Sequence, residues 1–203
     1  MVGIIDYGVG NLFSLRSSLE AVGQRVTVSA DMAQLSGADR LILPGVGAFG
    51  DAARKLRQSG LDVFVKEQAS QGKPLMGICL GMQMLFEESY EFGCHRGLGL
   101  LSGSVVAMEG KLPRELKIPH IGWNALKLTK PECPLFADIA EGDHVYFVHS
   151  FFAIGCEASL AAVTDYGIPI TAVVAQDNVY GCQFHPEKSG RVGLAILKAF
   201  CGV

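Results

Sequence analysis

The segment at residues 75–83 constrains this chain most, because it joins an apolar strand to a helix through a cysteine flanked by glycines. Gly77 and Gly81 stand two residues to either side of Cys79. A nucleophile on a tight strand-to-helix turn needs small neighbours, since the adjoining backbone passes close by. The helix N-terminus favours the reactive thiolate, and the N–H of Leu80 would point at a developing oxyanion. The segment predicts a nucleophile elbow. The alternative is a buried structural cysteine in a glycine-rich chain.

Short apolar runs alternate with amphipathic stretches in the first half of the chain. The runs that read as strands lie at residues 2–5, 25–29, 40–43 and 74–78. The stretches that read as helices lie at 12–22, at 48–71 with an interruption at Gly60, and at 81–88, and Asn11 is placed to cap the first of them. Such alternation is typical of a parallel sheet covered by helices on both faces.

The second half contains mainly short strand-like runs separated by turns. They lie at residues 105–108, 124–128, 144–150, 160–164, 170–175 and 179–184, and a last helix is expected at 189–200. Hairpins and mixed pairing are expected here. With no linker or repeat, we expect one α/β domain over residues 1–203. Its central sheet should be mostly parallel, with helices on both faces and a mixed or antiparallel extension. The pattern does not give the order of the strands.

Composition excludes several classes of protein. Apolar residues make up 49% of the 203 residues and charged residues 18%, which excludes a disordered chain. The net charge of −3, without blocks of like charge, argues against a nucleic-acid or anionic membrane surface. No apolar run reaches the roughly 20 residues of a membrane span, and the N-terminus lacks the basic region of a signal peptide. The six cysteines are at least fifteen positions apart, which argues against a zinc site or a disulfide framework. We therefore expect a reduced, cytoplasmic protein without a metal.

A histidine, a proline and a glutamate follow the apolar run at 179–184. A cysteine needs a base such as His185 to become a thiolate near neutral pH, and the base needs a carboxylate to hold its tautomer. Glu187, two residues further on, can orient the imidazole. Cys79, His185 and Glu187 are therefore the candidate catalytic residues. The alternative is a strand-end histidine near a helix-capping glutamate.

A third feature is the Pro-Gly-Val-Gly sequence at 44–47, again at a strand end. A glycine-rich loop there can turn backbone N–H groups toward an anion or an oxyanion. It lacks the Lys-Ser/Thr of a P-loop and the spacing of a dinucleotide loop. Phosphate binding and an ordinary turn remain the alternatives.

These three features together resemble the class I (triad) glutamine amidotransferases. Further segments are similar to one branch of that family, the glutaminase subunits of imidazole glycerol phosphate synthase. These segments are Asp-Tyr-Gly-Val-Gly-Asn at 6–11, Pro-His-Ile-Gly-Trp-Asn at 119–124, Tyr-Phe-Val-His-Ser at 146–150 and His-Pro-Glu-Lys-Ser at 185–189. The likeness covers essentially the whole chain. It implies a flavodoxin-like fold, a single glutamine amidotransferase domain over 1–203, and no cofactor or metal.

The resemblance assigns Cys79 as nucleophile, His185 as base and acid, and Glu187 as the residue that orients His185. The implied reaction is hydrolysis of L-glutamine to L-glutamate and ammonia through a thioester. The expected oxyanion donors are the N–H groups of Leu80, Val46 and Gly47. Further contacts with glutamine are expected from Gly45, Gln83, His149, Ser150 and Phe151. For His149, a buried structural histidine is the alternative.

Free ammonia would be protonated in water, so a partner should seal the site and carry the ammonia onward. The resemblance implies a (β/α)₈-barrel cyclase that forms a heterodimer with this chain. The cyclase would convert a phosphoribulosyl-formimino aminoimidazole carboxamide ribonucleotide to imidazole glycerol phosphate in histidine biosynthesis. Trp123, the only tryptophan, lies in an expected Gly-Trp-Asn turn and is a candidate interface anchor, with a core tryptophan as the alternative. The expected interface residues are Asn11, Ile121, Trp123, Asn124 and Lys188.

Three other functions compete with this one. The first is a triad glutaminase of the vitamin B6, anthranilate or purine pathway, against which the Gly-Trp-Asn and Asp-Tyr-Gly-x-Gly-Asn segments argue. The second is a cysteine peptidase or γ-glutamyl hydrolase that acts alone. The third is a silent binding or regulatory subunit, which the intact Cys79, His185 and Glu187 disfavour.

Overall fold

A computed structural model describes residues 1–203. The chain forms six α-helices and fourteen strands. The helices are Leu12–Ala21 (α1), Met32–Ser36 (α2), Phe49–Gln58 (α3), Leu61–Ser70 (α4), Leu80–Met84 (α5) and Gly190–Phe200 (α6). The strands of the first half are Val2–Ile5 (β1), Val26–Ser29 (β2), Arg40–Leu43 (β3), Leu75–Ile78 (β4), Glu88–Ser89 (β5) and His95–Arg96 (β6). Those of the second half are Ser104–Ala107 (β7), His120–Ala125 (β8), Lys127–Leu128 (β9), His144–His149 (β10), Phe151–Ile154 (β11), Leu160–Asp165 (β12), Pro169–Gln176 (β13) and Val179–Cys182 (β14).

The main sheet has eight strands in the order β2-β1-β3-β4-β14-β13-β12-β9. The first five are parallel to one another, and β13, β12 and β9 continue the sheet in antiparallel pairing. The predicted fold class, a mostly parallel sheet with an antiparallel extension, is confirmed. The strand order also brings two distant segments of the chain side by side. Strand β14, which lies about a hundred residues after β4 in the chain, pairs directly with it.

Helices cover both faces of the sheet, as predicted. Successive strand residues point to opposite faces, so Ile4 packs into one apolar cluster and Ile5 into the other. The face of Ile4 is covered by α1 and α6, and that of Ile5 by α2, α3, α4 and α5. Both faces of β1, β3, β4 and β14 are therefore largely buried, which accounts for their apolar runs.

Two smaller sheets stand beside the main one. One has the order β11-β7-β5-β6, and the other is the antiparallel pair β8 and β10. Strand β10 ends at His149 and β11 begins at Phe151, so the two sheets meet at residue 150.

Three local predictions were wrong. The helix expected at 81–88 ends at Met84, and Glu88 pairs instead with Arg96 of β6 and Ser104 of β7. The Gly-Trp-Asn segment is not a turn, because Trp123 lies within β8 opposite Tyr146 of β10. The strand expected at 124–128 is the end of β8 followed by the separate β9. In each case pairing with a distant segment overrides the local pattern.

Candidate active site

The predicted catalytic residues meet at one end of the central strands of the main sheet. Strands β3, β4 and β14 are adjacent and parallel, so the segments that follow them leave the sheet at the same end. A cavity of about 590 Å³ opens there. Ten of the predicted site residues line it: Val46, Gly47, Cys79, Leu80, Gln83, His149, Ser150, Phe151, His185 and Lys188.

Cys79 occupies a strained turn between β4 and α5. Its φ of 53° and ψ of −111° lie in a region that side-chain-bearing residues rarely adopt. Its N–H donates to the carbonyl of Cys182 at 2.8 Å, which ties the turn to β14. A Cβ on Gly81 would overlap the carbonyl oxygen of Leu43, and one on Gly77 would lie 2.5 Å from the carbonyl oxygen of Gly81. The glycines are therefore required by close packing, as the elbow motif predicts.

His185 and Glu187 form a buried pair beside Cys79. The Nδ1 of His185 is 2.8 Å from Oε1 of Glu187, and both side chains are only 4% exposed. Burial opposes the imidazolium, but hydrogen bonds and charge from Cys79 and Glu187 outweigh it and raise the pKa of His185 to about 9. The arrangement thus stabilises an imidazolium between a carboxylate and a sulfur.

The loop at residues 44–47 is fixed at its start and open at its tip. The hydroxyl of Tyr7 donates to the carbonyl of Pro44 at 2.7 Å, and a Cβ on Gly45 would lie 2.7 Å from the amide nitrogen of Gly81. By contrast, Val46 is 43% exposed, and Gly47 has a φ of 90° with open space around it. The N–H groups of Val46 and Gly47 donate no hydrogen bond within the chain. Both donors are therefore available at the mouth of the cavity.

Gln83 and His149 converge on the carbonyl oxygen of Phe151. Nε2 of Gln83 lies 3.0 Å from that oxygen, and Nδ1 of His149 lies 2.9 Å from it. The other ring nitrogen of His149 is 3.0 Å from Nδ1 of the buried His120. Burial lowers the pKa of His149 to about 3, so the ring is neutral. The imidazole is thus a satisfied structural group, in line with the alternative given above, whereas its residue still lines the cavity.

Several residues that line the cavity were not predicted from the sequence, among them Glu91 and Phe92, and neither was Gln183 beside Cys79. Glu91 lines the cavity, and its Oε2 accepts the N–H of Phe49 at 2.6 Å. Phe92 is 88% exposed at the cavity mouth, and its ring stands edge-on to Phe151 at 6.1 Å. Gln183 is completely buried and contacts the Cys79 sulfur. Only Gln183 had a sequence signal, because it stands two residues before His185 within the run predicted as a strand, where residues two positions apart lie on one side.

The predicted interface residues fall into two groups. Ile121 and Trp123, two positions apart on β8, are 56% and 53% exposed, so the core-tryptophan alternative is wrong. Lys188 lies over the ring of Tyr146 at 5.9 Å and reaches the cavity. Asn124 instead turns its amide inward: its Oδ1 lies 3.0 Å from Nε2 of His120, and its Nδ2 donates to the carbonyl of Asp165. Asn11 caps α1 by accepting the N–H of Ser14.

Outside this site, the structure offers no group of three or more His, Cys, Asp or Glu side chains that could hold a metal ion. All six cysteines are free thiols. None of the helices combines the length and apolar character that crossing a membrane requires.

Comparison with known proteins identifies the family of this chain. The family model of "Glutamine amidotransferase class-I" matches residues 3–201. The chain therefore belongs to the class-I glutamine amidotransferase family, which confirms the predicted resemblance.

Within that family, several similar relatives carry the name "Imidazole glycerol phosphate synthase subunit HisH". The relative from Caldanaerobacter subterraneus subsp. tengcongensis is 50% identical over 201 residues, covering 98% of this chain and 97% of that protein. The relative from Bacillus subtilis is 49% identical, covering 98% and 95%. The relative from Wolinella succinogenes is 48% identical over the full length of both.

Solved structures of lower identity share the fold. A crystal structure of a glutamine amidotransferase superposes with a TM-score of 0.76 at 20% identity, over 100% of this chain and 99% of that one. The structure of PurLQS from Thermotoga maritima gives 0.74 at 20% identity, over 99% and 97%. At this identity the likeness supports the fold alone.

Proposed function

We propose that this chain is the glutaminase subunit of an imidazole glycerol phosphate synthase and that residues 1–203 form one amidotransferase domain. It would hydrolyse L-glutamine and deliver the ammonia to a partner subunit. One observation carries the proposal: Cys79 lies on a strained strand-to-helix turn and lines one cavity with His185, whose Nδ1 is held by Glu187. The relatives named as synthase subunits supply the pathway.

In the first half of the reaction, the sulfur of Cys79 attacks the side-chain carbonyl carbon of glutamine. The thiol proton passes to His185, whose raised pKa favours that transfer. As the tetrahedral intermediate collapses, the C–N bond breaks and His185 gives its proton to the departing nitrogen. The products are ammonia and a γ-glutamyl thioester on Cys79.

In the second half, His185 takes a proton from water and the resulting hydroxide adds to the thioester carbon. The C–S bond then breaks, which releases glutamate and restores Cys79 with the proton shared with His185. Glu187 keeps Nδ1 protonated in both halves, so that the other ring nitrogen faces the sulfur. The sum is glutamine plus water giving glutamate plus ammonia.

The oxyanion of each tetrahedral intermediate requires preorganised donors. We assign the N–H of Leu80, which opens α5 and has no partner within that helix, and the N–H groups of Val46 and Gly47. Loss of one such donor typically costs about 10²–10³ in rate. Because the tip at Val46 and Gly47 is open, it can reorient when a partner docks.

The α-amino and α-carboxylate groups of glutamine need partners further along the cavity. We assign Glu91 to the ammonium, because it is one of the two carboxylates that line the cavity, the other being Glu109. Gln83, Gly45 and the backbone of residues 149–151 would hold the rest of the substrate. Phe92 and Phe151 would pack against its apolar stem.

For the partner, we propose a (β/α)₈-barrel cyclase that forms a heterodimer with this chain. The exposed Ile121 and Trp123 of β8 provide an apolar contact near Lys188, and Asn11 and Asn124 would border it. The partner would cover the cavity mouth and receive the ammonia before water protonates it. The complex would act in the cytoplasm, where six free thiols remain reduced.

The test is glutamate release from glutamine by the pure chain, alone and with a cyclase barrel plus its nucleotide ligand. We expect low release alone and a strong rise with partner and ligand. Cys79→Ala and His185→Asn should lower the stimulated rate by about 10³-fold or more, and Glu187→Gln by less. Strong activity alone, indifferent to the partner, would favour the γ-glutamyl hydrolase. Stimulation by a different synthase would move the chain to another pathway.

A further inference from the structure

Gln183 is a fully buried polar residue to which the mechanism above gives no role. Its side chain has no exposed surface, and its Nε2 lies 3.7 Å from the sulfur of Cys79, within hydrogen-bond distance for sulfur. Its Oε1 lies 3.0 Å from Nε2 of Gln83. The amide therefore bridges the nucleophile and the cavity wall.

The orientation of this amide follows from a neighbouring backbone group. A carbonyl oxygen only accepts, so Gln83 must point its NH₂ group at the carbonyl of Phe151. The second hydrogen of that NH₂ group is donated to Gln183, which must therefore accept it with its Oε1. Gln183 is thereby left with its own NH₂ group toward the sulfur. No flip of either amide satisfies all three contacts.

The carbonyl that sets this order is itself held in place. Phe151 opens β11, and its oxygen also accepts the Nδ1–H of His149. His149 is braced by His120, which in turn contacts Asn124 of β8. A hydrogen-bonded chain thus runs from His149 of β10 through the carbonyl of Phe151, Gln83 and Gln183 to the nucleophile. The last residue of this chain is Gln183, so the sulfur of Cys79 has a contact that is separate from the base His185.

We propose that Gln183 is a further catalytic residue whose side-chain N–H stabilises the negative charge on the Cys79 sulfur, and that the carbonyl of Phe151, acting through Gln83, turns this N–H toward the sulfur. The proposal deepens the proposed function and rests on Cys79 as the nucleophile. A donor to an ionised sulfur makes a charge-assisted hydrogen bond, which is stronger than one to the neutral thiol. Gln183 therefore favours the thiolate independently of His185.

The experiment measures the thiolate directly, without needing turnover. The full chain is alkylated with iodoacetamide from pH 5 to 10, and modification of the peptide that contains Cys79 is followed by mass spectrometry. Gln183→Met keeps the side-chain volume and removes the donor. We expect its alkylation midpoint to rise by about one pH unit, so that modification near pH 7 slows about tenfold. Glutamate release should lose kcat with little change in KM.

Two further variants test the parts of the proposal. Gln83→Met removes the intermediary and frees the Gln183 amide to turn, so it should shift the midpoint in the same direction by a smaller amount. Thr171→Val is the matched control, because Thr171 is a buried residue within hydrogen-bond distance of another sulfur, that of Cys156, outside the cavity. It should leave the Cys79 midpoint unchanged. If Gln183→Met does not fold, Gln183→Asn, which keeps the amide but withdraws it from the sulfur, replaces it.

The outcomes separate this inference from the proposed function. An unchanged midpoint in folded Gln183→Met, with a shift in His185→Asn, overturns the role of Gln183 and leaves the Cys-His pair intact. A midpoint that moves in neither variant overturns the pair as well. A shift in Gln183→Met without one in Gln83→Met overturns the orienting role of the Phe151 carbonyl.

Discussion

Two glycine-rich loops leave neighbouring strands at the same edge of the sheet, yet they are built in opposite ways. The elbow after β4 has no free space, because Gly77 and Gly81 contact backbone on both sides of the nucleophile. The loop after β3 is fixed only at Gly45, and its tip at Val46 and Gly47 is open. Glycine serves close packing in the first loop and backbone freedom in the second.

The difference follows from what each loop has to do. A nucleophile must stay in one strained position through every turnover, and dense packing can hold such strain. Under the proposed function, the oxyanion donors of the second loop need to be in place only when substrate and partner are bound, so an open loop would suffice. The following substitutions test this contrast, in order of decreasing effect.

The largest effect is expected from Gly81→Ala. Its Cβ would overlap the carbonyl oxygen of Leu43, which belongs to β3 and cannot move without breaking the sheet. We expect a loss of roughly 3–5 kcal/mol of unfolding free energy, or no soluble protein at all. Chemical denaturation followed by circular dichroism measures it. A near-wild-type midpoint would show that the elbow can relax and would remove the contrast.

The next effect is a pH dependence of the unfolding free energy that comes from His185, which lies beside Cys79 of the elbow. Its folded pKa of about 9 exceeds its ordinary 6.5, so its stabilising contribution is complete below pH 6.5 and is lost as pH rises through 9. The difference in unfolding free energy between wild type and His185→Asn should shrink by about 1.4 kcal/mol per pH unit over this range. A constant difference would mean that the imidazolium is not held by the elbow.

A smaller effect is expected when the strained residue itself becomes glycine. Cys79→Gly and Cys79→Ala both abolish the nucleophile and its contact with His185. Only the alanine variant keeps a Cβ at a φ of 53°. We therefore expect Cys79→Gly to be more stable than Cys79→Ala by about 1 kcal/mol, after the higher chain entropy of glycine is subtracted. Equal thermal midpoints would show that the elbow is not strained.

A similarly small change in stability is expected from Gly47→Ala. A Cβ there meets no atom within 4 Å, so the cost comes only from the φ of 90° and should be about 1 kcal/mol. Gly23→Ala, at a φ of 82° in equally open space far from the site, is the matched control. Both should unfold alike, but only Gly47→Ala should slow partner-stimulated glutamate release. Equal activity in the two variants would argue against a role for the tip.

Much of the site was encoded locally. The elbow at 77–81, the loop at 44–47 and the His185–Glu187 pair were all identified from residue types and spacing, because each is made within a few positions of the chain. Strand bounds in the first half were also close, since two-sided burial produces unbroken apolar runs. The helix expected to continue to residue 88 failed where long-range pairing of Glu88 competes with local propensity.

The sequence by itself therefore determined the class of fold, the family and the chemical groups of the site. Only the tertiary structure decided which groups meet. The pairing of β14 with β4 brings His185 to Cys79, and no periodicity in either strand specifies that neighbour. Likewise, Glu91 reaches the cavity from a loop, and the carbonyl of Phe151 orients Gln83 and Gln183 from over sixty and over thirty positions away along the chain. Local pattern reports which face of an element is buried, whereas contacts between distant segments depend on the packing of the whole sheet.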